Sequence, residues 1–371
     1  MESFFYEKIP ELRKAKNSFS KLKYNEIELW PSVSPDVYKY YSKKNFGSFF
    51  LKFIRIIKFL FFVEKFNVSG KRGRIMASFL LNRKDHHGLW EKCLNEFKKD
   101  ELTSVDAYHE DKKKFNKKRF HFKFPNFIKI YRIWKYLNDS EFENVVRGFI
   151  NRAYIYALTY YMFKKIEFWT EVYERYAPRM YISYSSYRNN DETIMTQICR
   201  KNGKKTFTLQ NYAILDFKEF NYESITYENM ISDYFLLWGD AGKKILEKYI
   251  DKKRLLVAGN PNYLAIKKIK RKNFNPAIGA VSLDYPQYDE SNFEVINTIK
   301  DFTKKNESIK FYFSLHPDLD KNKYLEKIKG DNIELWNEGK GGWLEQIKKS
   351  DFLIVHNTTI ALEALKFQIP I

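Results

Sequence analysis

The tightest constraint on this chain is an alternation of short apolar runs with helical patterns that fills its C-terminal third. Strands are expected over residues 277–283, 309–315, 333–336 and 352–355. Helices are expected over 292–303, 321–329, 343–349 and 358–366. Strands separated by helical patterns build βαβ units and a parallel sheet. Residues 369–371 read as the start of another strand, where the sequence stops, so this last domain is expected to be incomplete. The middle repeats the pattern, with strands over 180–184, 206–209, 234–237 and 255–258 and helices over 192–201 and 242–249. Upstream, a strand over 75–80 precedes a helix over 87–97 that opens after Asp85, and aromatic-rich helices fill 126–176. The polar, basic stretch 267–275 (KKIKRKNFN) separates two βα blocks and reads as an interdomain linker.

At 371 residues the chain is long enough for two domains with real cores. Its formal net charge of +20 points to nucleic acid, an anionic membrane face or an anionic substrate. An AT-rich codon bias toward Lys, Asn, Ile, Tyr and Phe supplies part of that excess. No zinc-type cluster or single-strand stacking motif supports nucleic acid. Two cysteines, Cys93 and Cys199, are too few for a disulfide framework and fit a reducing cytosol. The N-terminus Met1-Glu2-Ser3-Phe4 lacks a charged leader followed by an apolar core, and no apolar run is long enough to span a bilayer. Residues 51–66 (LKFIRIIKFLFFVEKF) come nearest. On one helix, Lys52, Arg55, Lys58 and Lys65 would share a side. That suits either a basic amphipathic helix on an anionic leaflet or a core helix with snorkelling lysines. The basic run 112–119 would add to such a surface or form a solvated loop.

Three strand ends carry the chemistry. After the 352–355 run come His356, Asn357, Thr358 and Thr359, then a helical pattern containing Glu363. Hydroxyls and free backbone N–H groups at a helix opening suit phosphate, and a carboxylate one turn on suits a ribose diol. An N-capped helix with a solvated Glu363 is the alternative. His316-Pro317 ends another strand of the same block, and Pro317 cannot continue the ladder. His316 would then face the carboxyl edge, where ligands of open α/β sheets bind, and could donate to a departing phosphate, or merely cap. Gly259-Asn260 ends a third strand, where glycine permits close backbone approach or simply a turn. In the N-terminal block, Asp85, His86 and His87 lie between the first strand and its helix. One of them could serve as a general base at a cleft, or Asp85 could cap the helix. Adjacent histidines diverge on a helix and, lacking a third ligand, make no metal site.

The order of these segments resembles a known pattern. Thr208-Leu209-Gln210-Asn211-Tyr212, Ser232 to Gly239, Val257 to Pro261, His316-Pro317 and His356 to Thr359 with Glu363 are similar to GT-B glycosyltransferases of bacterial capsule and lipopolysaccharide synthesis. More distantly they resemble CDP-glycerol glycerophosphotransferases and polysialyltransferases. The resemblance runs from about Arg74 to the end. It implies an α/β chain with two Rossmann-like domains facing across a cleft, the C-terminal one holding the donor nucleotide. His316, Thr358, Thr359 and Glu363 would then hold the nucleotide, with Gly259, Asn260, Pro317 and Asn357 beside them. Several relatives read Gln-His-Gly where this chain has Gln210-Asn211-Tyr212, so the base is sought instead in Asp85, His86 and His87. The acidic-acidic-glycine motif of the polysialyltransferases is absent, which disfavours sialic acid.

The expected organisation is an extension over 1–70 with the basic helix, an acceptor domain over 71–268 with a helical insertion, and a nucleotide domain over 274–371. The expected activity is metal-independent transfer of a sugar from a nucleotide-sugar co-substrate to a lipid-linked or polysaccharide acceptor. No other cofactor is expected, since no Asp-x-Asp follows a strand where it could hold Mg²⁺ against a diphosphate. The protein would sit in the cytoplasm against the inner face of the plasma membrane, without nucleic acid. A sugar-nucleotide epimerase of the same fold and a basic nucleic-acid-binding protein are the rivals.

Overall fold

The computed structural model describes residues 9–20, 22–42, 49–81, 84–107, 119–138, 146, 149–216, 222–261, 276–283, 288–316, 319–336, 342–355 and 360–371. The chain divides into two compact units, Met1–Asn262 and Tyr263–Ile371. The expected linker, 267–275, lies outside the described residues.

The first unit opens with helix Ile9–Ser20, an antiparallel pair β1 (Lys23–Tyr24) and β2 (Ile27–Glu28), and helix Leu29–Ser42. Phe19, Trp30 and Val33 from this region join Ile155, Leu158 and Trp169 in one core. Helix Phe49–Phe61 runs into β3 (Phe62–Lys65), then β4 (Ile75–Phe79), helix Lys84–Leu94 and β5 (Leu102–Asp106). β6 (Arg119–Phe122) pairs antiparallel with β3. Helices Phe127–Asn138 and Phe149–Tyr176 follow, then β7 (Met180–Ser183), helix Asn190–Lys201, β8 (Lys205–Leu209), helix Tyr222–Glu228, β9 (Tyr234–Leu237), helix Asp240–Leu246 and β10 (Leu255–Val257).

Six of these strands form one parallel sheet in the order β10-β9-β8-β7-β4-β5. Strand period two sends successive side chains to opposite faces. Ile75, Ala77 and Phe79 accordingly pack on Leu89 and Trp90 of helix Lys84–Leu94. Met76, between them, packs in the core built around helix Phe149–Tyr176. With helices on both faces, β4 is buried along its whole length, as a central parallel strand must be. The 28-residue helix is buried through its middle on all sides, which is why its sequence shows little amphipathic pattern.

The expected helix over 51–66 is corrected at its end. It stops at Phe61, and Phe62–Lys65 form β3, so Lys65 does not share the helical face of Lys52, Arg55 and Lys58. An apolar run with a β-branched residue gains more by pairing with β6. Lys164, buried on the long helix, donates to the carbonyls of Leu60 and Phe62 at 3.1 and 2.6 Å and so ties down this helix end. Of the basic run 112–119, only Arg119 is described, opening β6.

The second unit contains β11 (Ile278–Ser282), helix Asp289–Lys305, β12 (Lys310–Ser314), helix Lys321–Ile328, β13 (Ile333–Leu335), helix Trp343–Lys349, β14 (Phe352–Val355) and helix Ile360–Lys366. Its strands are parallel in the order β13-β12-β11-β14. Val281, Phe311 and Phe313 pack on Ile296, Ile299 and Tyr324 on one face. Ala280 and Leu353 pack on Ile347, Ala364 and Phe367 on the other. Ile369 is buried in that second cluster, and Leu353 N–H donates to the Pro370 carbonyl at 2.9 Å, so residues 369–371 return alongside β14. Both units are thus three-layer, Rossmann-like α/β structures.

Candidate functional site

In an open parallel sheet, ligands bind outside the carboxyl ends of the strands where the strand order reverses. Each unit has one such point.

In the second unit the reversal lies between β11 and β14, since β12 and β13 extend one way from β11 and β14 the other. Ser282, Ser314 and Val355 are in register at the carboxyl ends of β11, β12 and β14. The chain therefore leaves β14 toward His356 at the reversal itself. It leaves β12 toward His316 on the far side of β11, two strand spacings or about 10 Å away. His316 is half-buried, and its carbonyl accepts from Leu319 N–H at 2.9 Å in a tight turn. Pro317, His356, Asn357, Thr358 and Thr359 lie outside the described residues. Glu363 is on helix Ile360–Lys366, with its side chain outside them. Ser314 Oγ donates to Gln346 Oε1, and Gln346 Nε2 donates to the Tyr312 carbonyl at 2.6 Å, clamping helix Trp343–Lys349 to the end of β12.

In the first unit the reversal lies between β4 and β7. Helix Lys84–Leu94 follows β4 and carries His86 and His87 in its first turn; the Asp85 side chain is outside the described residues. Asp106, at the end of β5, sets its Oδ2 2.7 Å from His87 Nε2. Carboxylates accept, so Nε2 carries the proton and the lone pair sits on Nδ1, 3.7 Å from Glu91 Oε1. Phe79 packs edge-on to the His87 ring at 5.1 Å, and His86 is 5.7 Å from the Tyr184 ring. His87 is thus an oriented imidazole on the strand-end side of its helix, equipped to take a proton.

The loop after β7 forms the other wall. Glu192 is fully buried beneath it. Its Oε2 accepts from Ser185 N–H at 2.6 Å and Ser185 Oγ at 3.0 Å, and its Oε1 from Ser78 Oγ at 3.0 Å. Burial raises its pKa to about 7 despite those hydrogen bonds, which favour the charged form. The neighbouring Asp191 is paired with Lys165 at 2.5 Å and accepts from Trp169 Nε1 at 2.8 Å. The opening of helix Asn190–Lys201 is therefore filled by its own carboxylates and by Asn189, which caps Asp191 and Glu192. Above it, the Arg188 guanidinium lies 4.2 Å from the centre of the Tyr212 ring, putting a cation at this edge.

Gln210 Oε1 accepts from Trp238 N–H at 2.7 Å, and its Nε2 donates to the Tyr212 carbonyl at 2.8 Å. Tyr187 donates to Asn211 Oδ1. The Gln210-Asn211-Tyr212 triplet is here a brace joining the ends of β7, β8 and β9. Gly259, with φ of +87°, and buried Asn260 follow β10 at the outer edge of this sheet. They belong to the first unit, on a different sheet from His316. Asp106, Glu192 and Arg188 escaped the sequence reading. A strand signal at 102–106 ending in a carboxylate was the available clue for Asp106.

A cavity of about 240 Å³ lies elsewhere, between β3, β6 and the long helix, lined by Lys65, Lys123, Lys164, Glu167 and neighbours. It shares no residue with either strand-end site. Among the described residues, no group of three or more His, Cys, Asp or Glu is placed to hold a metal.

No family model matches the sequence, and neither does any curated protein. The fold is similar to solved sugar-nucleotide enzymes. The UDP-GlcNAc 2-epimerase of Methanocaldococcus jannaschii aligns with a TM-score of 0.47 at 12% identity, over 81% of this chain and 82% of its own. MnaA of S. aureus, solved with UDP, aligns with a TM-score of 0.46 at 13% identity, over 76% and 73%. The S. aureus TarM structure, with UDP and alpha-GlcNAc-glycerol, aligns with a TM-score of 0.39 at 10% identity, over 57% and 44%.

Proposed function

We propose that this chain is a glycosyltransferase that moves a sugar from a nucleotide-sugar donor to a lipid-linked or polysaccharide acceptor in surface-polysaccharide assembly, on the cytoplasmic side where such donors are made. One observation carries the reading: the β13-β12-β11-β14 order puts the reversal of the second sheet at the strand that leads into Asn357, Thr358 and Thr359. His316 leaves the same edge two strands away. In this reading the turn donates to the donor phosphates, His316 adds a proton donor as charge develops on the leaving group, and Glu363 accepts from the ribose hydroxyls. No resident metal is required.

The first unit deprotonates the acceptor. There His87 Nδ1 takes the proton of an acceptor hydroxyl while Asp106 holds the ring. Arg188 supplies charge for an anionic acceptor. The test is nucleotide release from UDP-, CMP- and GDP-sugars by the purified chain, with and without a membrane extract as acceptor. Release that requires the extract supports transfer. Release of free sugar or an epimer without it favours the epimerase, and release from none of the donors rejects both.

A further inference from the structure

Helix Phe49–Phe61 carries two apolar stripes, and only one is used by the fold. Ile56, Phe59 and Leu60 pack on the core of the first unit. Phe50, Phe53, Ile54 and Ile57, spaced i, i+3, i+4, i+7, are 40–67% exposed. Helix Phe127–Asn138 repeats this. Ile133 and Leu137 are buried, whereas Phe127, Tyr131 and Trp134 (i, i+4, i+7) are 69%, 59% and 44% exposed. Both helices pack on the Phe149–Tyr176 helix. Between them, the Phe61 carbonyl accepts from Lys123 N–H at 2.8 Å, and the Phe61 ring lies 6.0 Å from Phe122 and 6.3 Å from Phe124. Phe122 and Phe124 are themselves mostly exposed. Exposed aromatic surface of this extent marks an interaction site.

We propose that this face docks the protein on an anionic membrane leaflet, with both helices lying in the interface and their aromatic stripes inserted. Charge selects the occupant. Residues 49–61 and 119–138 together hold eight Lys or Arg and no Asp or Glu. Arg55, Arg132 and Lys135 are exposed beside the stripes, and Phe122 lines a pocket that holds Lys65, Lys123 and Lys164 together with Glu167, which pairs with Lys123 at 2.6 Å, and Glu171. A second copy of the chain would set these like charges against one another, whereas anionic headgroups neutralise them. Trp134 and Tyr131, stacked at 5.7 Å, are the amphipathic rings that favour the headgroup level. Among the described residues no helix is long and apolar enough to cross a membrane, so these helices lie on the bilayer. Donor binding plays no part in this docking.

The test is flotation of the full-length protein with phosphatidylcholine vesicles, with and without phosphatidylglycerol, at low and high salt. The wild type floats with the anionic vesicles, less so in high salt. Phe53→Ser/Ile57→Ser, Tyr131→Ser/Trp134→Ser and Arg55→Glu/Arg132→Glu each lower the partition coefficient by more than about tenfold. The residues replaced by serine are exposed, so in those variants the urea midpoint and nucleotide-induced thermal shift stay at wild-type values. A wild type that does not float at low salt overturns the proposal. So do serine variants that float normally, or serine variants that dissociate a wild-type dimer while vesicle binding is unchanged.

Discussion

His87 and Asp106 meet because β4 and β5 are parallel neighbours, which brings the end of one strand beside the helix that follows the other. Sequence reading offers Asp85 as a base or a helix cap; the carboxylate that tertiary pairing brings to His87 is Asp106, and only the strand order reveals it. If His87 is the base, His87→Ala lowers turnover by about 10²–10⁴-fold while the donor still binds. Asp106→Asn, which leaves the ring without its orienting carboxylate, lowers turnover in the same direction. Steady-state kinetics on folded variants checks this, and normal turnover in both would reduce the pair to a helix brace. Glu192 makes a different prediction. Its carboxyl keeps a proton up to about pH 7 when folded, whereas in the unfolded chain it ionises near its ordinary value of 4.5. Its contribution to stability is complete below pH 4.5 and is lost as pH rises through 7, a change of about 3 kcal/mol. In Glu192→Gln the urea midpoint should fall less between pH 5 and 8 than in the wild type. Parallel slopes in the two proteins would contradict the assignment. Neither Asp106 nor Glu192 could be singled out beforehand, because which carboxylate is paired and which is buried depends on neighbours that only the fold supplies.

Among the elements, the second unit was the most legible. Its strands and helices fall within a few residues of the expected spans, because short apolar runs alternate with helical periods and each element has one place to go. Position 279 shows how closely they pack. A Cβ on Gly279 of β11 would lie 2.7 Å from the Phe311 ring and 2.8 Å from Phe352, whose rings meet edge-on at 5.6 Å across it. Gly279→Ala should therefore cost about 1–3 kcal/mol by overpacking. Chemical denaturation measures this, and an unchanged midpoint would mean the rings separate freely. The first unit was harder. β5 is short and flanked by charge, and β3 pairs with β6 across a long sequence gap, so neither pairing was visible locally. The helix over 49–61 was seen by its lysines. Which of its two apolar stripes faces the core depends on what packs there, and helix Phe127–Asn138, read only as aromatic-rich, has the same ambiguity.

The molecule as a whole is two Rossmann-like units with reversals of strand order at β4/β7 and β11/β14. The topology of the second was implicit in its alternation, but the order of its strands was not, and that order is what gives the 356–359 turn its significance. The central claim is that a nucleotide binds there. The direct measurement is a thermal-shift panel of UDP, CMP, GDP and CDP derivatives on the wild type, His316→Ala and Glu363→Ala. A nucleotide at 100 times its dissociation constant should stabilise the wild type by about 2.7 kcal/mol. Glu363→Ala should weaken that binding by about 1–3 kcal/mol through lost charged hydrogen bonds, and His316→Ala should weaken it in the same direction. A wild type indifferent to every nucleotide, or a shift that survives both substitutions in folded protein, would contradict the account.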